Sequence, residues 1–450
     1  MTLPPSLLAL PALCLLAGCM ADPAAAPAPT PAPQAIALAA TAPPPAPRLS
    51  GSLAATGFGK MIATAVRSHP DVRSASYAID SAAADLGTVS NPYIPAVSVG
   101  ASAIHETGGT TPGSYATPYL RVTQMIFDGG ISSSQRTAAL AAIEAARNNR
   151  LVSASEVAYS AVEAYVSLHS AARTLALMQD NLSAQEEIGQ LIETRSAAGA
   201  GGQSDALAVR SRIADARTMV IEAQTALERA RANCIAVFGF TPDGDTAIPV
   251  PPRLLDRSDT GIGNAPRLLA INSSLAVSEA QLALAQAERM PQVSLGGTAK
   301  NDARGDQNVT FDLSVDYPFD TRGRTRAAVE KAAAEVNDMK AQKAALVRDI
   351  RRSLDYAEAA RASGAARRAA AQEAVAANHD NVAAAREEFQ IGRRSLLSLL
   401  DAQSDYVDAQ ENVITAEADM TLAGYEALSL TGDIVEATGT SMEDIVTVTR

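Results

Sequence analysis

Three cysteines and four histidines carry the most reactive side chains of this chain, and their positions limit the chemistry open to them. Cys19 follows Leu16, Ala17 and Gly18, small residues behind a short apolar stretch from Leu7 to Leu16. Such a stretch is too short to cross a membrane as a helix, and small residues before a cysteine are a lipoprotein cleavage signature. The thiol of Cys19 is therefore expected to take a lipid and to head the mature chain. Residues 1–18 depart from the usual signal in having no Lys or Arg. Met20 stands where an Asp would suggest retention at the inner membrane, so the outer membrane is expected. Cys14 leaves with the signal, Cys234 is then the one thiol left, and an intramolecular disulfide is impossible. Cys234 sits in an Ala-rich helical run, where a small buried hydrophobe is expected rather than a nucleophile. His69, His105, His169 and His379 fall far apart on different elements, which argues against a shared metal site. No GxxxxGKS or GxxxxGKT, HExxH, CxxC or GxSxG occurs, so phosphate cradling, zinc hydrolysis, thiol exchange and serine-elbow chemistry lack a starting residue set. The expectation is a protein that is no enzyme, holds no cofactor and draws its energy from a partner.

The elements around these residues are set by composition. Of 450 residues, 47% are hydrophobic, only 4% are aromatic and none is Trp. Abundant Ala, Leu, Glu, Arg and Gln favour long helices, and small side chains let helices approach closely. A net charge of -12 repels polyanions and excludes nucleic acid as a partner.

Five segments follow. Residues 1–18 are the signal; 19–50 hold the lipid site and a tether in which Pro and Ala alternate from 21 to 48. Pro-rich chain forms neither helix nor ladder and extends about 3.1 Å per residue, so the tether can reach on the order of 80 Å. Residues 51–257 and 258–435 then run twice through helix, strand pair, very long helix and shorter helix, leaving a tail at 436–450. The repeat is marked in order: His69-Pro70-Asp71-Val72 against Asn264-Ala265-Pro266-Arg267, Ile94 to Gly100 against Met290 to Gly296, and Phe127-Asp128-Gly129 against Phe319-Asp320 with Gly323.

Each strand pair alternates apolar and polar residues, as in Val97, Val99, Ala101 and Ala103, or Val309, Phe311, Leu313 and Val315. About ten residues is the length of a tilted transmembrane strand. Tyr93, Tyr115, Tyr119, Phe127, Tyr317 and Phe319 bracket the strands as an aromatic belt at a membrane interface would. Four strands cannot close a barrel, and open edges in lipid leave backbone groups unsatisfied, so oligomerisation is expected; two copies would give eight strands and three would give twelve. From Ile131 to about Arg195 and from Thr325 to about Gln390 there is no Pro. Helices of that span extend about 100 Å, and apolar residues at Val152, Tyr159, Val162, Val166 and Leu168 repeat as in a coiled coil.

From 58 to 432 the chain resembles the TolC-like outer-membrane efflux and secretion family. The resemblance is carried by the duplication, by Gln124 to Gly130 (QMIFDGG) leading into the first long helix, and by Phe389 to Gln403 (FQIGRRSLLSLLDAQ) before the Ala-rich helix ending near Gly432. It implies a mainly α protein with a membrane β-barrel: a homotrimeric tunnel of twelve strands, four from each chain, continued by periplasmic coiled-coil helices that close like an iris. The tip turns are then Gly199 to Gln203 and Gly392 to Arg393, where Gly permits a left-handed reversal. By the same resemblance Phe389 and Arg394 stand near the second turn and Asp205 near the first, as a lock holding the iris shut. Phe389 lacks the hydroxyl of the family's usual Tyr. Asp401 stands at a ring of carboxylates, and Ser398 replaces a second such acid, so one ring is expected. The implied partners are a periplasmic membrane fusion (adaptor) protein, an inner-membrane ABC or RND transporter and outer-membrane lipid. GRRSLLSLLDAQ is similar to the type I secretion branch, whereas a lipid anchor is commoner among RND drug or metal pumps. A non-channel coiled-coil adaptor is the alternative of another class, but it would carry one hairpin flanked by β-rich modules.

Overall fold

The computed structural model describes residues 49–89, 93–106, 113–197, 202–242, 246–254, 262–301 and 307–440. The signal, Cys19 and the tether lie outside the described residues, as do Gly199 and the last ten residues of the tail. Helices α1 (Gly57–Ser68) and α2 (Pro70–Thr88) precede strands β1 (Ala96–Glu106) and β2 (Gly113–Phe127). Helix α3 (Ile131–Ala197) and α4 (Gln203–Phe238) complete a first series. A second runs through α5 (Pro266–Ala287), β3 (Gln292–Asn301), β4 (Gln307–Asp316), α6 (Arg324–Gln390) and α7 (Leu396–Thr431), and α8 (Asp433–Ala437) follows.

Both long helices have 67 residues, about 100 Å of rise. Neither is stable alone in water at that length without packing. Helix α3 packs on α2, α4, α5 and α7, and α6 packs on α5 and α7. Near the sheet each long helix thus meets the short helices, and toward the far end the 36-residue helices α4 and α7. Phe58, Tyr165 and Tyr425 are fully buried, with ring centroids 5.7 Å apart from Phe58 to each Tyr. Their hydroxyls bind the connecting segment: Tyr165 donates to the Thr246 carbonyl at 2.8 Å and Tyr425 to that of Pro249 at 3.1 Å. Cys234 lies in this core with no exposure, and burial pushes its thiol up to about 11, as a structural cysteine requires.

The four strands form one antiparallel sheet in the order β1-β2-β3-β4, which leaves β1 and β4 as edges. Register assigns its faces. Val97 and Val99 stand opposite Val122 and Leu120, while Leu295, Gly297 and Ala299 stand opposite Leu313, Phe311 and Val309. Val99 and Phe311 are each 80% exposed, so an apolar face lies uncovered. The other face carries Ser98, Arg121, Thr298 and Thr310 at one level and Ser294 and Ser314 at another.

Candidate functional site

At the far end of the helices, the reversal between α6 and α7 turns on Gly392, whose φ of +75° is open to Gly at little cost. Its amide donates to the Phe389 carbonyl at 3.0 Å and that of Arg393 to Glu388 at 2.8 Å, closing the helix end. Ser395 caps α7 by accepting from the Ser398 amide at 3.2 Å. On the first hairpin, α3 ends at Ala197 and α4 starts after Gly202.

Phe389 is buried with Ile188, Ile192, Val209, Leu396, Leu399 and Leu400. The Arg195 guanidinium lies 4.7 Å from the centroid of its ring and donates to its backbone carbonyl at 2.9 Å. The missing phenol is thus offset by a cation–π platform, and the apolar ring fits this core better than a hydroxyl without a partner. Arg195 links the first hairpin to the second, a role that spacing did not show.

Arg394 binds its own hairpin: Nε donates to Ser398 Oγ at 3.0 Å, Nη1 reaches Asn381 Oδ1 at 3.4 Å, and Glu388 lies 3.5 Å away. Asp205 is half-buried in the first turn of α4, where the helix dipole favours an acid, and within the chain it makes no pair with Arg394 among the described residues. Asp401 and Arg212, both exposed, approach to 3.5 Å across α7 and α4, a contact worth under about 1 kcal/mol. Shorter bridges tie the hairpins and their helices: Arg386 to Glu187 at 2.6 Å and Arg217 to Glu186 at 3.0 Å.

At the sheet end, Asp128 turns the chain from β2 into α3. Its carboxylate accepts from the Gly130 amide at 2.9 Å, the Ser132 amide at 2.8 Å, the Ser132 hydroxyl and the Tyr93 hydroxyl at 3.0 Å. Burial would push its pKa up, but these donors outweigh it and hold the group down to about 2. Asp320 repeats the device at α6: the Arg326 amide donates to it at 2.9 Å, and backbone amides of 324–326 hold its pKa down.

Tyr93, Phe127, Tyr317 and Phe319 are exposed and gather at the helix side of the sheet, with the last two rings edge to face at 4.8 Å. Tyr115 pairs with Ile104 toward the other end, and its side chain lies outside the described residues. Tyr119 departs from the belt expected of it. It stands on the polar face and lies across Gly100, because an aromatic ring packs well on a strand glycine that offers no Cβ.

An uncovered apolar strand face, a polar reverse face, unpaired edges and helices of about 100 Å are the features of a protein whose sheet enters a membrane and whose helices stand outside it. The model of the outer membrane efflux protein family matches residues 61–239 and 259–432, most of the chain in two blocks. The chain is 26% identical over 335 residues to the outer membrane efflux protein BepC of Brucella suis, spanning 70% of this chain and 71% of that one. It is 26% identical over 404 residues to the protein CyaE of Bordetella pertussis, 82% of each. Its fold superposes on the Campylobacter jejuni CmeC outer membrane channel with a TM-score of 0.76 at 16% identity, covering 87% and 89%. The chain belongs to the outer membrane efflux protein family and has the TolC-like fold. It is an outer-membrane channel of a tripartite export system, with a periplasmic portion and with adaptor and inner-membrane partners, and it is not an enzyme.

Proposed function

We propose that the protein is a passive homotrimeric duct, anchored by lipid at Cys19, through which an inner-membrane transporter passes cargo across the periplasm and outer membrane. The observation that carries this reading is the four-stranded sheet with two open edges and an uncovered apolar face. Three copies complete twelve strands, as the family resemblance implies. Residues 51–257 and 258–435 are the duplicated halves, 19–50 the tether and 1–18 the cleaved signal. The tip segment 392–403 supports type I secretion with an ABC transporter through a membrane fusion protein. The efflux family match supports an RND pump as the second reading.

In this reading Asp205, Phe389, Arg394 and Ser398 set the closed tip, with Gly199 and Gly392 as its turns and Asp401 lining the constriction. Arg394 reaches Asp205 of a neighbouring chain from its seat on Ser398 and Asn381. The test is single-channel conductance in planar bilayers. Wild type should conduct weakly, Arg394→Ser and Asp205→Ala should raise conductance, and Asp401→Ala should weaken block by divalent cations. Wild-type conductance in both lock variants would place the lock elsewhere.

A further inference from the structure

The polar face of the sheet sorts its charges by level, and this carries an inference that rests on the trimeric duct reading. Residues in register across the strands share a face and a level. Measured along β4 from the helix end, Asp316 comes first, then Asp312. Next is the level of Thr310, which holds Arg121 through Thr298, and then that of Asn308, which holds Lys300. The two acids thus precede the two bases. None of the four makes an ion pair among the described residues, and all four are exposed. Glu106 ends β1 farther out, in register with Gly113, and its side chain lies outside the described residues.

Two glycines hold this pattern in place. Tyr119 lies over Gly100, and the Arg121 guanidinium sits 5.5 Å from the Tyr119 ring centroid, which draws it outward along the strand and away from Asp312. Asp312 lies across Gly296, the equivalent glycine of the second repeat, with its carboxylate in the space that a Cβ there would fill. The duplicated position thus carries an aromatic in one copy and an acid in the other.

We infer that Arg121 and Lys300 form a basic belt in the outer half of the lumen that concentrates anionic segments of cargo, while Asp312 and Asp316 make the half nearer the helices acidic. In a trimer the belt has six cations. At about 0.15 M salt their field reaches about 8 Å from the wall, and at about 0.01 M about 30 Å, which fills a narrow lumen.

The test places a thiol at the belt by Thr298→Cys in the full-length protein in liposomes and compares anionic with cationic thiosulfonate reagents of similar size. The native Cys234 is buried and stays silent. In about 0.01 M salt the anionic reagent should react roughly three- to tenfold faster, and about 1 M salt should erase the difference. Arg121→Gln with Lys300→Gln should also erase it. Equal rates in the unaltered belt, a preference for the cationic reagent, or a preference that survives both substitutions would overturn the belt alone. Val309→Cys, on the apolar face, should react with neither reagent. If it reacts while Thr298→Cys does not, the faces are reversed and the duct reading falls with the belt.

Discussion

Asp128 shows how one carboxylate can fix the angle between a membrane strand and a helix 67 residues long. Four donors converge on it, and its pKa is about 2 against an ordinary 3.8. A group whose folded pKa is depressed stabilises the fold above its unfolded pKa and loses that contribution as pH falls through the folded one. The window is therefore from about pH 4 down to about pH 2. Replacing a capping side chain costs about 0.5–2 kcal/mol. Asp128→Ala should lower the melting temperature in detergent at pH 7, and most of the difference from wild type should be gone by about pH 2. A deficit of the same size at both values would show that the carboxylate charge contributes nothing. The sequence marks Asp128 and Asp320 as repeated signposts, yet their capping role was not legible, because it depends on where Tyr93 and Ser132 fall in space. Arg195 was out of reach for the same reason: the carbonyl it binds is 194 residues away. The face that Tyr119 occupies was not legible, because an aromatic within a strand reads alike on either face of the sheet. Register with Gly100 decides it.

The elements themselves were far more legible. Long stretches without Pro foretold both 67-residue helices to within a residue or two, since nothing in them interrupts the backbone ladder. What periodicity could not show is a break inside their packing. One apolar cluster at the tip contains Ile188, Ile192, Leu399 and Leu400, and a second toward the sheet contains Leu177, Met178, Val407 and Ile414. Between them lie Asn181 and Gln185 on α3 and Gln403 on α7, all buried. Asn181 Oδ1 and Gln185 Oε1 find no hydrogen-bond partner among the described residues, at a cost of about 1–3 kcal/mol each. One turn beyond Gln185 is Gly189, against which Ile213 and Val209 pack. A polar layer without partners beside a helix-interior glycine is a weak stretch of this packing. Gln185→Leu should therefore raise the melting temperature by several degrees and lower the open probability of the Arg394→Ser channel. If the melting temperature falls instead, the amides are satisfied in the assembly and the layer is structural.

At the scale of the whole molecule, the open sheet decides how the protein enters a membrane. Strands β1 and β4 have 11 and 10 residues, and about half of the backbone groups on each point outward from the sheet edge. In lipid each such unsatisfied group costs several kcal/mol, so a lone chain inserting its sheet would face tens of kcal/mol. In the proposed trimer, insertion and closure of the barrel are therefore one event, and neither is expected to require a lipid on Cys19. In the proposed reading, a lipid on Cys19 contributes only the attachment of one lipidated residue. Two measurements separate these terms. Wild type and Cys19→Ala should both give a mass of three chains in mild detergent, while labelled fatty acid should enter the wild type alone. A stable monomer that retains strand signal in lipid would contradict the edge argument, and label surviving in Cys19→Ala would remove Cys19 as the attachment site. Loss of the trimer in Cys19→Ala would mean that the anchor holds the chains together long enough for their edges to meet, making assembly a property of the tether as well as of the sheet.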